Sequence, residues 1–302
     1  MAVAISRLHV SGAVLLDAQG RSIRLPGVAA FALFKRFLMP SGWDALVLPI
    51  LTEWRQIATA AGYDGPIVLR VFRCAALPNL FALDPWSYDF TKATDFTNRC
   101  AALGFYVDWT GGDYQICFPS ADPHMGEVDG PQGINQHNNM FCAALLGCEN
   151  AIWNTCNEPF KNGIDTGWVL PPPWAPTVQY SGEYREGYDQ ADLRCINLHT
   201  DRGEEGGAQK WVGKAHESAP YMWRRGKVVF YDEGMGADEI VIPGRRSNVP
   251  RYFGILGTVI AMVNAVYFHC TDGQPCNSLR PVTRQCAVEF FRGIVGGLKV
   301  TA

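Results

Sequence analysis

Asn157-Glu158-Pro159 directly follows the apolar run Asn150-Ala-Ile-Trp-Asn-Thr-Cys156, and Glu233 follows a second run, Val228-Val-Phe-Tyr-Asp232, ahead of the glycine-rich Gly234-Met-Gly236. Each acid stands where a buried-looking strand enters a turn. Two carboxyls delivered in this way suit hydrolysis of a glycosidic bond. That reaction needs one carboxyl held protonated, to give its proton to the leaving oxygen, and another held ionised, to attack or stabilise an oxocarbenium-like centre.

The surroundings of the two acids sort them into those roles. Glu158 has Trp153 and Phe160 for company, and apolar surroundings disfavour the charged form, which would let it donate a proton near neutrality. Glu233 would stay ionised beside a guanidinium from Arg70 or a hydrogen bond from His199. Asn157 offers an amide to a sugar hydroxyl whose hydrogen bond strengthens in the transition state. Arg70 also fits a structural ion pair, and His199 a satisfied core histidine. Asp232 competes with Glu233, because neighbours on a regular strand point to opposite faces and only one of the pair can face the site.

Positioning these groups falls to an alternation of strand and helix. Leu8 to Leu25 reads as a β-hairpin around an Asp17-Ala-Gln-Gly20 turn, with residues 1–22 forming a cap at one end of the fold. Ile23 to Ala29 reads as a strand, Trp43 to Ala61 as a helix ending at Gly62, and Ile67 to Phe72 as a buried strand. Phe90 to Leu103 reads as a helix stopping at Gly104, Phe105 to Trp109 as a strand, Gln136 to Leu146 as a helix, and Ala151 to Thr155 as a strand. Further along come Arg194 to Leu198 (strand), Gln209 to Arg225 (helix), Lys227 to Tyr231 (strand), Tyr252 to Phe268 (helix into strand) and Gln285 to Val295 (helix). These give seven strands, and an eighth is expected within Phe160 to Asp192, a segment broken by Pro171-Pro-Pro173. Apolar, non-alternating strands separated by helices imply a parallel sheet covered on both faces. No Gly-x-Gly-x-x-Gly follows an early strand, which argues against a dinucleotide-binding sheet. The expected fold is α/β, a single (β/α)8 TIM barrel spanning 1–302, with the candidate groups at the C-terminal ends of strands.

These motifs, in this order, resemble the retaining β-glycosidases of the (β/α)8-barrel clan A, the cellulase-like glycoside hydrolase superfamily. In that group an Asn-Glu-Pro closes the fourth strand and supplies the acid/base, and a Glu ending the seventh strand is the nucleophile. The resemblance assigns those roles to Glu158, beside Asn157, and to Glu233. It takes Ile23-Arg-Leu-Pro-Gly-Val28 as the first strand, Val68-Leu-Arg-Val-Phe72 as the second, with Arg70 as the arginine near the nucleophile, and His199 of Ile196-Asn-Leu-His199 as an active-site histidine. The superfamily usually shows Glu-x-Gly where this chain has Glu233-Gly-Met-Gly236. It commonly carries an aromatic residue after the eighth strand where this chain has His269-Cys-Thr-Asp272; His269 is a candidate substrate contact. A retaining mechanism would set the two carboxyls about 5–5.5 Å apart.

Composition narrows the partners. Among 302 residues, 48% are hydrophobic and 18% charged, enough apolar surface for a sizeable core and against disorder. A net charge of −3 gives no basic field for a phosphate backbone, so nucleic acid is not expected. Tyr252 to Phe268 is too short and too interrupted for a membrane span. The N-terminus lacks the pattern of a secretory signal, so the expected setting is the cytoplasm, or release by lysis, or carriage on a phage particle. Ten cysteines without a Cys-x-x-Cys read as reduced, buried thiols. No cofactor is expected: a metal-dependent barrel hydrolase would want His-x-His after the first strand, and Val28-Ala-Ala-Phe31 offers no ligand. A carbohydrate is the expected partner, since Trp109, Trp168 and Trp174, with Tyr114, fall in loops where rings could stack on sugar faces, whereas Trp43, Trp54 and Trp223 read as core. The loop aromatics suggest an extended groove and action within a polysaccharide or oligosaccharide. The competing reading is a catalytically weak carbohydrate-binding protein, a virion or surface adhesin on a glycosidase scaffold. Sugar identity, linkage and oligomeric state stay open.

Overall fold

Apolar runs with no period of two bury both faces of a strand, and this chain uses them to build a sheet with two cores. The structure of the protein is a computed structural model that describes residues 5–74, 83–111, 134–154, 178–180, 195–199, 224, 226–233, 262–267 and 281–300. β1 (His9–Ser11) and β2 (Val14–Leu16) form a two-stranded antiparallel hairpin. β3 (Leu25–Ala29), β4 (Ile67–Cys74), β5 (Phe105–Gly111), β6 (Ala151–Asn154), β7 (Val178–Tyr180), β8 (Cys195–His199), β9 (Val228–Glu233) and β10 (Met262–Tyr267) are all parallel. They pair neighbour to neighbour in chain order, and β10 pairs again with β3, closing the ring. The strand expected within Phe160 to Asp192 is β7. The expected helix over 209–225 lies almost wholly outside the described residues, as does the first part of the segment from Tyr252.

The strands divide their side chains between the two cores. Val68, Tyr106, Ile152, Val228 and Phe230 share an interior cluster with Leu25 and with the hairpin's Leu8 and Leu15. Their chain neighbours Ile67, Leu69, Phe105, Val107, Ala151 and Trp153 join the opposite cluster, against the helices. α1 (Leu33–Phe37), a π-helical turn (Trp43–Val47), α2 (Leu48–Ala60), α3 (Thr91–Ala102), α4 (Ile134–Ala144) and α5 (Pro281–Val300) supply that outer layer. Among the described residues no helix is long and apolar enough to cross a membrane.

The helix boundaries follow from local chemistry. α2 buries Ile50, Leu51, Trp54, Ile57 and Ala58, one stripe at helical spacing, and tolerates Pro49 because the first turn needs no N–H from it. It ends in a Schellman arrangement: Tyr63 N–H donates to Ala58 O at 2.9 Å and Gly62 N–H to Thr59 O at 2.9 Å, with Gly62 at φ +88°. At the start of α3 the Asp89 carboxylate accepts the Thr91 N–H at 2.9 Å, and beyond its end Gly104 has φ +80°. Both glycine stops match the sequence expectation. An ion pair between Arg284 and Glu53 ties α5 to α2.

The hairpin departs from expectation in its turn. β1 and β2 reverse at Gly12, whose φ of +55° suits glycine, and not at Asp17-Ala-Gln-Gly20. Asp17 instead organises a second turn: its Oδ1 accepts the N–H groups of Gln19 and Arg21, both at 2.9 Å, and the chain returns to an isolated bridge between Leu16 and Ser22. A local Asx turn looks the same in sequence as a hairpin turn.

Candidate active site

Counted from β3, the fourth strand of the ring is β6 and the seventh is β9. Asn154 ends β6, four residues before Glu158, and Glu233 ends β9. The β8–β9 register runs Cys195 to Val228, Ile196 to Val229, Asn197 to Phe230 and Leu198 to Tyr231, then slips, so that His199 stands across from Glu233 and Asp232 is skipped. Val228 and Phe230 belong to the interior cluster. The slip leaves Asp232 as an extra residue in β9, so the regular alternation that set Asp232 against Glu233 does not hold at this strand end. An extra residue at a strand end is a recurrent way to re-aim a position beside an active site.

Above the apolar cluster the described part of the interior sets buried polar groups beside a small cluster of Ala29, Phe31 and Phe72. Arg70 shares the register of Ala29 and Asp108, and both Arg70 and Asp108 are fully buried. The Arg70 Nε donates to Thr110 Oγ1 at 3.1 Å, and its guanidinium lies 5.1 Å from the centroid of the Phe31 ring, which stacks on Phe72 at 4.3 Å. A guanidinium held this way stays charged and keeps a fixed direction. It can favour the ionised form of a carboxylate brought to it.

Outside the ring a second buried arginine, Arg73, ties β5 to the end of β6. Arg73 Nη1 donates to Trp109 O on β5 and to Asn154 O on β6, both at 2.7 Å, and Nη2 donates to Asn138 Oδ1 on α4 at 2.8 Å. Its guanidinium carbon sits 3.9 Å from the centroid of Trp153, and Tyr88 Oη donates to the Arg73 carbonyl. Charged hydrogen bonds of this kind contribute about 1.5–3 kcal/mol each, and losing one partner of a buried charge costs more than the bond is worth. Next to this cluster His137 is fully buried against Trp86, Phe90 and Phe141, with ring centroids 5.3–5.7 Å away. Burial, with Arg73 adding to it, holds the imidazole well below its ordinary pKa of 6.5, against a smaller opposing effect of the Pro85 backbone.

Of the residues singled out in the sequence, Arg70 lies in the interior, and Glu233 and His199 occupy facing register positions. Asn157, Glu158, Trp168, Trp174 and His269 lie outside the described residues, as do Tyr114 and Trp223. Trp109 is a correction: it is fully buried in β5, its Nε1 donates to Thr97 Oγ1 at 3.0 Å, and Phe34, Phe96 and Phe141 surround it at 4.8–5.6 Å. It shares the outward phase of Phe105 and Val107 and is a core residue with no face for a sugar. Trp54 is core, as expected. Arg73, His137 and Asn138 escaped the sequence reading; the one available signal was a charge directly following the apolar run that ends at Phe72.

No protein-family model and no curated protein matches the sequence. Solved structures do match. A candidate glycoside hydrolase from Bacteroides vulgatus ATCC 8482 superposes with a TM-score of 0.62 at 15% identity, over 96% of this chain and 61% of that one, so this chain spans less than two thirds of its length. The glycoside hydrolase family 5 mannosidase from Rhizomucor miehei gives 0.60 at 11% identity, over 98% of this chain and 99% of that one. The catalytic domain of the Thermobifida fusca endoglucanase, in complex with cellotetraose, gives 0.58 at 14%, over 94% and 97%. A closed parallel ring of this strand order, matched over nearly the whole length of both chains, shows that this chain shares its fold with these structures.

Proposed function

We propose that the protein is a retaining glycoside hydrolase that cleaves β-glycosidic bonds within a polysaccharide or oligosaccharide. The observation that carries the proposal is positional: Glu233 ends the seventh strand of the ring in register with His199, and Asn157-Glu158-Pro159 follows the fourth. In this reading Glu158 protonates the departing oxygen while Glu233 attacks the anomeric carbon, forming a glycosyl-enzyme and breaking the glycosidic bond. Glu158, now a carboxylate, then takes a proton from water, which displaces Glu233 with net retention. Arg70 and His199 keep Glu233 ionised, and Asn157 holds a sugar hydroxyl. Trp168, Trp174 and His269 line the groove. The ring becomes a full (β/α)8 barrel with residues 1–22 capping its N-terminal end and the groove at the other. Mannanases, a mannosidase and cellulases among the structural matches favour β-linked mannan or glucan as the first substrates to try.

The test is hydrolysis of a panel of aryl β-glycosides and β-linked polysaccharides, with the product anomer followed by NMR. Turnover giving the β-anomer first, abolished in Glu233→Gln and in Glu158→Gln, supports the reading. Binding without turnover, or an initially α product, overturns it.

A further inference from the structure

Taking the glycosidase reading as its basis, we infer that Arg73 is a positioning residue for the acid/base Glu158. It acts by clamping the end of β6 from the outer face of the ring. Two of its hydrogen bonds go to main-chain carbonyls, Trp109 O within β5 and Asn154 O at the end of β6, each at 2.7 Å, and a third goes to Asn138 Oδ1 on α4. One planar cation therefore fixes β5, β6 and α4 to one another, with the Trp153 ring beneath it at 3.9 Å. The geometry is specific to arginine, since its rigid fork reaches two carbonyls and an amide at once and an ammonium cannot. The register between β4 and β5 slips between Phe72 and Cys74, beside this residue, so β4 departs from regular pairing where the clamp is made.

Asn154 is the last residue of β6, and only Thr155, Cys156 and Asn157 separate it from Glu158. The main chain at the end of β6 is thus pinned by a side chain lying on the opposite face of the sheet from the interior residues Arg70 and Thr110. Acid catalysis depends on placement, and a shift of about 1 Å can cost about 100-fold in rate. The effect of losing the clamp should fall on the steps that need Glu158, and in kcat/KM, which reports the steps up to the glycosyl-enzyme, that step is proton donation to the leaving group and not substrate binding.

The experiment compares kcat and KM of the wild type, Arg73→Gln, Arg73→Lys and Asn138→Ala on two glycosides of one sugar, a phenyl and a dinitrophenyl glycoside. Dinitrophenolate departs without a proton and phenolate needs one. Arg73→Gln is expected to lower kcat/KM on the phenyl glycoside by about 10–100-fold and on the dinitrophenyl glycoside by no more than a few-fold, with KM little changed. Arg73→Lys should recover part of the loss, and Asn138→Ala should show the same preference more weakly. If Arg73→Gln does not fold, Asn138→Ala carries the test: a loss confined to the phenyl glycoside supports the inference. Equal losses on both substrates, or none, overturn it. The two glycosides carry the sugar that the wild type hydrolyses best; a wild type inactive on every glycoside and polysaccharide of the panel overturns the glycosidase reading and this inference with it, whereas an active wild type with an unchanged substrate ratio in the variants overturns this inference alone.

Discussion

His137 shows what burial does to a single titratable group in this chain. Its ring is enclosed by Trp86, Phe90 and Phe141 with the Arg73 cation nearby, so the folded state holds it neutral well below its ordinary pKa of 6.5. The unfolded chain has no such constraint and takes up the proton near pH 6.5. Below that value the unfolded state binds more protons than the folded state, and stability falls as the pH falls; above it both states are neutral and the contribution is flat. One proton corresponds to about 1.4 kcal/mol per pH unit at most. Urea unfolding of the wild type should therefore show stability declining between about pH 6.5 and about pH 5, and His137→Gln, which removes the titrating ring, should show a shallower decline. Equal slopes in the two proteins would mean that the imidazole charges inside the fold. Trp109 teaches the complementary lesson for a side chain without charge. On a strand buried on both faces nothing in the sequence marks which side is which, and a tryptophan beside Asp108 read as a groove residue when it is a spoke of the Phe34, Phe96 and Phe141 cluster.

At the scale of elements the legible features were those enforced within a few residues of chain. Gly62 and Gly104 mark the ends of α2 and α3 because a left-handed residue costs glycine nothing. The apolar runs of β4, β5 and β6 mark strands because no helix face that short is apolar throughout. What escaped were features decided by the partner strand: the slip that brings Glu233 opposite His199, the hairpin's reversal at Gly12, and the clamp that Arg73 makes across β5 and β6. A register is a property of two segments distant in sequence, and neither one alone encodes it. Half of the proposed catalytic pair, Glu233, could be chosen from the sequence by likeness, but its register partner could not. The local features make their own prediction. At Gly62 an added Cβ would meet only Val295 Cγ1, at 3.9 Å, so Gly62→Ala suffers from its φ of +88° and not from crowding. The expected loss is about 1–2 kcal/mol, read as a lower urea midpoint at unchanged m-value. A midpoint equal to that of the wild type would show that α2 can end without the Schellman bonds of Gly62 and Tyr63.

The molecule as a whole separates its stability from its proposed chemistry along the axis of the ring. Leu8 and Leu15 of the hairpin segment join Leu25, Val68, Tyr106, Ile152, Val228 and Phe230 in one cluster at the N-terminal part of the strands. Arg70, Thr110, Asn154 and Glu233 stand further along the same strands, toward their C-terminal ends. The Tyr106 hydroxyl adds a polar tie, donating to Ser6 O at 2.6 Å. In barrels of this kind the N-terminal end serves stability and the C-terminal end serves chemistry. Leu15, fully buried in the middle of β2, tests that division. Leu15→Ala removes three buried carbons and leaves a cavity in the interior cluster, for about 2–5 kcal/mol. In a chain of this size that lowers Tm by roughly 4–10 °C. Well below the transition, kcat/KM on the best aryl glycoside should match the wild type, because the layer of Arg70 and Asp108 lies between the cavity and the strand ends. A large fall in kcat/KM with little change in Tm would place the hairpin against the site and not at the opposite end of the ring. A fall in Tm with activity intact would establish residues 1–22 as a stabilising plug that the catalytic end does not feel.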